Sequence, residues 1–198
     1  MSSSGVKSRT RPYHHGDLRA TLMATAMRMI EEQPVERLSL RALSRAAGVS
    51  HAAPYHYFPD RAALLKAVGD EAMREFAEAL EDGAASDRDA RGSLYAMGRA
   101  YVRFATQRPR AFGLIFDPDL CPPGDPGPDR GPLIARAEAA LEGCVERLRR
   151  TGWRPRQSTA VVALALWAGV HGLARLVADG YAPADGVDAA LEALVADA

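Results

Sequence analysis

Apolar residues recur at the spacing of an α-helix along the whole chain of 198 residues, and no stretch shows the sustained alternation that is typical of a β-strand. Prolines, glycines and capping residues separate the apolar stripes. The pattern therefore predicts an all-α protein with about nine helices. The first helix stops before Pro34, the next two cover residues 40–47 and 51–57, and the fourth runs from Asp60 to about Gly83. The fifth follows Asp89, the sixth is short and begins at Pro109, the seventh runs from about Pro132 to Gly152, and the last two cover residues 156–178 and 187–195.

The breaks also predict how the chain is divided. Residues 1–13 form a basic N-terminal arm, residues 14–75 a first helical domain, and residues 76–198 a second one. Within the second domain, the segment 117–132 is so rich in proline and glycine that we expect an irregular loop.

A short connection joins the second and third predicted helices. It consists of Gly48, Val49 and Ser50, which is the length and composition of the turn in a helix-turn-helix. Gly48 permits a left-handed conformation, Val49 fills the wedge between the helices, and Ser50 caps the helix that would enter a major groove. Ser39 is the predicted N-cap of the preceding helix. This segment is therefore the candidate DNA-binding element.

The distribution of charge supports this interpretation. The chain carries 25 basic and 25 acidic side chains, a net charge of +0. The first 66 residues hold ten basic and five acidic side chains, however, so the acidic excess lies in the remainder. Such an asymmetry is typical of a nucleic-acid-binding segment joined to another domain.

Several other classes of protein are not favoured by the sequence. The two cysteines, Cys121 and Cys144, form neither a disulfide framework nor a metal-binding spacing. The longest apolar run, residues 159–170, is shorter than the ~20 residues of a membrane helix, and the N-terminus lacks the apolar region of a secretory signal. We expect a cytoplasmic protein that uses no metal, cofactor or membrane.

Two segments strongly resemble the DNA-binding domain of the tetracycline-repressor (TetR) family. They are LSLRALSRAAGVS at residues 38–50 and YHYFPDRAALL at residues 55–65, and the resemblance covers residues 14–75. It implies an all-helical bacterial homodimer whose N-terminal domain binds a palindromic operator and whose C-terminal domain binds a small effector and dimerises. The segment WAGVHG at residues 167–172 is similar to the Trp/His-Gly element of one C-terminal subgroup.

The resemblance implies roles for residues that match the family's motif. It places Ser39, Arg41, Tyr55, Tyr57 and Arg61 at phosphate-contacting positions or at the start of the second helix, and His51 and Ala52 near base edges. From the residues themselves we add Ser50 as a cap, His56 as a base-reading group, and Arg9 and Arg11 as arms for a minor groove. Alanine at Arg41 or at Arg61 is expected to weaken operator binding and to lower its salt dependence by about one ion.

A set of aromatic and polar residues in the C-terminal domain forms the candidate effector site. Each aromatic residue taken singly is more often core than ligand contact, but the cluster is large, and effector pockets are mostly apolar with a few polar anchors. On the helix over residues 156–178, a histidine and an arginine share a face with a tryptophan, and the histidine could equally be a core residue held by hydrogen bonds. The candidates are Met97, Tyr101, Phe104, Phe112, Phe116, Trp167, His171 and Arg175.

The same helix is apolar nearly all round, so it must be covered on every face. In a chain of this size, a second copy is the simplest cover, and antiparallel pairing of the last two helices would give a four-helix bundle. The residues expected on the outer faces are Val161, Ala165, Leu176, Leu191 and Val195.

Three functions remain open at this point. The first is a DNA-binding repressor that a small apolar or aromatic effector releases from its operator. The second is a DNA-binding regulator without an effector, and a cavity of more than about 300 Å³ in the C-terminal domain would argue against it. The third, a helical enzyme, is disfavoured because no nucleophile with an adjacent base and no paired carboxylates appear.

Overall fold

The computed structural model describes residues 15–86 and 89–196, and these residues form eight α-helices and three short 3-10 helices without a β-strand. The all-α prediction is confirmed, whereas the predicted arm 1–13, with Arg9 and Arg11, lies outside the described residues. The α-helices are α1 (His15–Glu32), α2 (Leu40–Ala46), α3 (Arg61–Ala85), α4 (Ala90–Gln107), α5 (Pro109–Ile115), α6 (Gly127–Arg149), α7 (Thr159–Ala178) and α8 (Val187–Val195). The 3-10 helices are Val35–Arg37, Ala53–His56 and Ala184–Gly186.

Capping side chains set the first residues of the helices around the predicted helix-turn-helix. The hydroxyl of Ser39 accepts a hydrogen bond from the backbone N–H of Ala42 at 3.2 Å, and the carboxylate of Asp60 accepts one from Ala63 at 2.8 Å. Both caps agree with the sequence prediction, because each satisfies a backbone donor that the first turn of a helix leaves unpaired. Pro109 is the first residue of α5, as expected.

The predicted third helix is wrong in type and length. Only the single 3-10 turn Ala53–His56 forms there, and Ala52 precedes it without a capping side chain, so the predicted cap by Ser50 is also wrong. Pro54 is the physical reason, since it has no N–H to donate, and Pro59 prevents the segment from extending further.

The predicted loop 117–132 is shorter than expected, because α6 begins at Gly127. Gly127 turns the chain into the helix with a φ of +73°, and Pro128 occupies one of the first helical positions, where a missing N–H costs little. Pro132 lies inside α6 near its N-terminus. The proline density of this segment was therefore compatible with a helix start.

Helix α3 connects the two halves of the molecule. It is 25 residues long and contacts α1 on one side and α4, α5 and α6 on the other. One buried apolar cluster runs through both halves and includes Leu64 and Val68 near its start and Phe76 and Leu80 further along. A single continuous helix therefore joins the C-terminal helices to the N-terminal half of the molecule.

A buried arginine ties three of these helices together. Arg130, in the first turn of α6, is 1% exposed, and its Nε donates to a carboxylate oxygen of Asp70 on α3 at 2.7 Å. Its Nη1 donates to the carbonyl oxygen of Ile115 at the end of α5 at 3.1 Å. The guanidinium lies against Gly69, where an added Cβ would come within 2.4 Å of Nη2. The glycine thus provides the space that the buried ion pair needs.

Candidate DNA-binding surface and ligand cavity

Helix α2 and the turn Ala53–His56 form the helix-turn-helix. Gly48 has a φ of +67°, the left-handed conformation that glycine adopts without strain, and it ends α2 as predicted. The backbone N–H of Val49 donates to the carbonyl oxygen of Ser44 at 3.0 Å, and the Val49 side chain packs against the apolar core. The sequence prediction for this turn is therefore confirmed in its glycine and its valine.

His51 is held in a defined orientation by a buried serine. Its Nδ1 lies 3.0 Å from the hydroxyl of Ser44, and that hydroxyl donates to the carbonyl oxygen of Arg41 at 3.0 Å. In the tautomer whose Nδ1–H donates to the Ser44 hydroxyl, Nε2 is an acceptor. An exposed acceptor of this kind matches the amino group of adenine or cytosine in a major groove.

The cations of this segment differ in how they are used. Arg41 and Arg45 are exposed and form no ion pair with another described residue, so both can contact phosphate. Arg61 instead donates from Nε to the carbonyl oxygen of Leu38 at 2.8 Å and from Nη2 to that of Val35 at 2.9 Å. Arg61 therefore fastens the start of α3 to the connection between α1 and α2.

The other predicted DNA-contacting residues lie in or beside this same segment. Ser39 and Tyr57 are half-buried, and the hydroxyl of Ser39 is already used as a cap. The exposed ones are Ser50, Ala52, Tyr55 and His56.

A cavity of about 690 Å³ lies between helices α3 to α8 in the C-terminal domain. Its wall is mostly apolar, and the loop between α5 and α6 covers part of it. Its volume lies within the range of small-molecule sites, about 300–1,000 Å³. The larger side chains in its wall include Phe76, Met97, Tyr101, Phe116, Leu141 and Trp167.

The structure brings together only some of the predicted effector residues. Met97, Tyr101, Phe116 and Trp167 line the cavity. Phe104 and Phe112 are buried in the core that packs around Phe76, with ring centroids 5.1 and 5.9 Å from it. Arg175 is exposed and pairs with Asp179 on the same helix at 3.1 Å, away from the cavity wall.

His171 lies behind the cavity wall and is hydrogen-bonded to Tyr101, which lines it. The phenol oxygen and the imidazole Nδ1 are 2.8 Å apart, and the His171 ring also packs edge-on against Phe116 at 4.7 Å. Burial lowers the pKa of His171, and the nearby charge of Arg175 lowers it further. Burial likewise raises the pKa of Tyr101, partly offset by hydrogen bonding from Trp167. The polar part of the inner wall is therefore uncharged at neutral pH.

Sequence reasoning missed the contributions of α3 and α6 to the cavity. Phe76 was expected only on the inner side of its helix, and Leu80, Glu138 and Glu142 were not singled out, although all four line the cavity. A signal did exist for the two glutamates, because their spacing of four places them on one face of a helix beside the apolar stripe that includes Leu141. Only the packing of six helices shows that this face borders a cavity.

The outer face of α7 is apolar, and none of the other described residues covers it. Val161 is 58% exposed and Leu176 50% exposed, and Ala165 is exposed between them. Leu191 and Val195, which were expected on an outer face, are instead each 4% exposed. The reason is that α8 turns its larger side chains toward α4 and the cavity, with Leu191 close to Gly98.

Two further features bear on the chemistry of the molecule. Within residues 15–86 and 89–196, no group of three or more His, Cys, Asp or Glu side chains is arranged to hold a metal ion. Helix α7 has a mean hydropathy of 1.8 and is long and apolar enough to cross a membrane by length and composition alone. The uninterrupted apolar run of residues 159–170 within it is shorter than a membrane helix. An exposed apolar face of this kind is typical of an interaction site.

Known proteins resemble the chain over nearly all of its length. A protein of unknown function from Rhodococcus sp. RHA1 is 32% identical, with a TM-score of 0.75 over 93% of this chain and 94% of that one. SCO4313, described as a regulatory protein, is 25% identical, with a TM-score of 0.69 over 94% and 99% of the two chains. AibR, solved in complex with isovaleryl coenzyme A and operator DNA, is 19% identical, with a TM-score of 0.63 over 90% and 97%, and shows the fold alone. No curated protein matches the chain.

Two family models match the chain in succession. The model for bacterial regulatory proteins of the tetR family matches residues 22–68, which contain the helix-turn-helix described above. The model for a tetracyclin repressor-like C-terminal domain matches residues 94–198, more than half of the chain. This protein therefore belongs to the TetR family of transcriptional regulators and carries that family's N-terminal DNA-binding domain.

Proposed function

We propose that this regulator is a homodimeric repressor that binds a palindromic operator and leaves it when a small apolar or aromatic effector enters the C-terminal cavity. One observation carries the proposal: α3 begins directly after the recognition turn and also forms a wall of the cavity. An occupant of the cavity therefore acts on the element that orients the DNA-binding surface.

The exposed apolar face of α7 supports the homodimer. Its exposed residues form a stripe at helical spacing that runs from Val161 to Leu176, and small residues in its middle allow close approach of a second helix. A two-fold axis would pair this face with itself, as in most soluble homodimers. Two recognition turns, one from each subunit, would then meet half-sites about 34 Å apart.

The size of the cavity supports an effector. The cavity volume of about 690 Å³ is more than twice the ~300 Å³ above which a regulator without an effector is disfavoured. AibR, which shares the fold, was solved with an acyl-coenzyme A and operator DNA. A cavity of this kind in the present chain is therefore proposed to have a ligand of its own.

In addition to the continuous helix α3, ionic and hydrogen-bonded contacts connect the two domains. Arg108, at the junction of α4 and α5, pairs with Glu75 on α3 and lies 3.5 Å from the carboxylate of Glu31 on α1. Arg110 on α5 donates to the carbonyl oxygen of Glu31 at 2.6 Å. Because α5 ends at the cavity wall with Ile115, a shift of α5 would be transmitted to α1.

The proposal does not include catalysis. Among the described residues that line the cavity, Tyr101 is hydrogen-bonded to His171 behind the wall, and no Ser, Thr or Lys is present beside a base. We place the protein in the bacterial cytoplasm, where its DNA partner is.

Selection of binding sites from a random duplex library tests the DNA-binding part of the proposal. The full-length protein is expected to enrich a palindrome whose half-site centres are one helical turn, or a multiple of it, apart. Enrichment of no sequence, or of a single unrepeated half-site, would contradict the proposed homodimeric repressor.

Substitution of Arg41 by Ala is expected to weaken binding to the selected operator and to lower the slope of log affinity against log salt by about 0.9 for each phosphate contact that is lost. The reason is that Arg41 is exposed and forms no ion pair with another described residue. Fluorescence anisotropy at several salt concentrations measures both quantities. Arg103→Ala removes the same charge from an exposed position on α4 and should leave the slope unchanged. Equal slopes in wild type and Arg41→Ala would remove Arg41 from the interface.

A further inference from the structure

The charged residues on the cavity wall are all of one sign. Of the described residues that line the cavity, Glu138 and Glu142 are the charged ones, and no Lys or Arg is among them. Both glutamates lie on α6 and are exposed, so they stand where the apolar cavity meets solvent. An anionic ligand would meet these two carboxylates without a compensating cation.

The two glutamates also lack partners within the described part of the chain. Neither forms an ion pair with another described residue, although Glu81, Glu75 and Glu71 each pair with an arginine. Their spacing of four residues puts their Cβ atoms about 5–6 Å apart, and like charges at this spacing destabilise a helix. A positive group between them would remove this repulsion.

The arginines nearest in sequence or on neighbouring helices are already engaged. Arg136 on α6 forms a bidentate pair with Glu81, with distances of 2.9 and 2.5 Å. Arg99 on α4 donates to Asp188 at 2.8 Å. Both therefore have a carboxylate partner other than Glu138 and Glu142.

We propose that the effector is a lipophilic cation, with an apolar body in the cavity and an amine or quaternary ammonium group beside Glu138 and Glu142. The wall of Phe76, Phe116 and Trp167 suits an apolar or aromatic body, and aromatic faces also attract a cation. The inference rests on the proposed effector function and narrows its ligand class. The proposed cationic ligand of this chain differs in charge from the acyl-coenzyme A ligand of AibR, whose phosphates are anionic.

Isothermal titration of the full-length protein with four probes that share a ten-carbon chain tests the charge preference. The probes are decyltrimethylammonium, decanol, decanoate and decanoyl-coenzyme A, each used below its micelle concentration. Decyltrimethylammonium is expected to bind at least about tenfold more tightly than decanoate. The double variant Glu138→Gln/Glu142→Gln should lose about tenfold in affinity for the cation and retain its affinity for decanol.

A second double variant, Asp129→Asn/Glu192→Gln, is the matched control. It removes two exposed carboxylates that do not line the cavity, one from α6 and one from α8, and should bind all four probes like the wild type. Equal or tighter binding of decanoate or decanoyl-coenzyme A, or unchanged binding of the cation by Glu138→Gln/Glu142→Gln, would overturn the inference, as would failure of all four probes to bind. Binding of decanol with no advantage for the cation would leave the proposed effector function intact, and operator binding in the same samples shows separately whether the DNA-binding function holds.

Discussion

Replacing Arg130 by Met should lower the free energy of unfolding by about 1–3 kcal/mol, the usual cost of leaving buried hydrogen-bonding groups without a partner, since Asp70 keeps its ion pair with Lys66 at 2.7 Å. The carboxylate of Asp70, whose side chain is 16% exposed, would lose the guanidinium that lies 2.7 Å away. The carbonyl oxygen of Ile115 would lose its donor as well. In a protein of this size, the loss corresponds to a fall in Tm of roughly 2–12 °C.

Chemical denaturation followed by circular dichroism measures this loss. Arg136→Met is the matched control, because it breaks an arginine–carboxylate pair with Glu81 that is substantially exposed, and it should cost less than about 1 kcal/mol. The double variant Asp70→Asn/Arg130→Met should recover part of the stability, since it also removes the carboxylate charge that the guanidinium balanced together with Lys66. A cost for Arg130→Met no larger than that of Arg136→Met would contradict the role assigned to Arg130.

The double substitution Val161→Glu/Leu176→Glu should convert the protein into a monomer and lower its affinity for the operator by about a hundredfold or more. Both side chains are exposed on α7 and neither lines the cavity, so the fold and the ligand site of the single chain should survive. Pairing α7 with its copy, however, would bury four added charges. Operator binding falls because one subunit engages only one half-site.

Analytical ultracentrifugation and anisotropy with the selected operator measure these two effects. The control Gln107→Glu/Ala135→Glu adds negative charge at two exposed positions on α4 and α6, away from α7, and should remain dimeric. A dimeric Val161→Glu/Leu176→Glu variant with wild-type operator affinity would show that α7 is not the interface.

Structural features that depend on residues close together in the sequence were predictable from the sequence. The caps at Ser39 and Asp60 and the left-handed Gly48 depend on neighbours within three or four residues, and the structure has all three. The prediction of an α-helix over residues 51–57 was wrong for an equally local reason, because the missing N–H of Pro54 outweighed the capping tendency of Ser50.

Features that depend on packing between helices were not predictable in the same way. The apolar pattern of α8 identifies its length but does not determine which of its faces meets α4, so Leu191 and Val195 were placed outside although they are buried. The apolar pattern around Phe112 is the same for a core residue and a cavity wall. Arg130 gave no signal, because a buried arginine is recognisable only by the carboxylate that the fold brings to it.

If an occupant of the cavity changes the protein's affinity for DNA, a titration of the operator in the presence and absence of that occupant will show it. The affinity of the full-length protein for its selected operator is measured with and without a saturating amount of whichever ten-carbon probe binds most tightly, at constant ionic strength. We expect the probe to weaken operator binding by a factor within the usual allosteric range of about 5–150, and the operator to weaken probe binding by the same factor. Saturation of the cavity with no change in operator affinity would contradict the proposal that an effector in the cavity releases the protein from DNA.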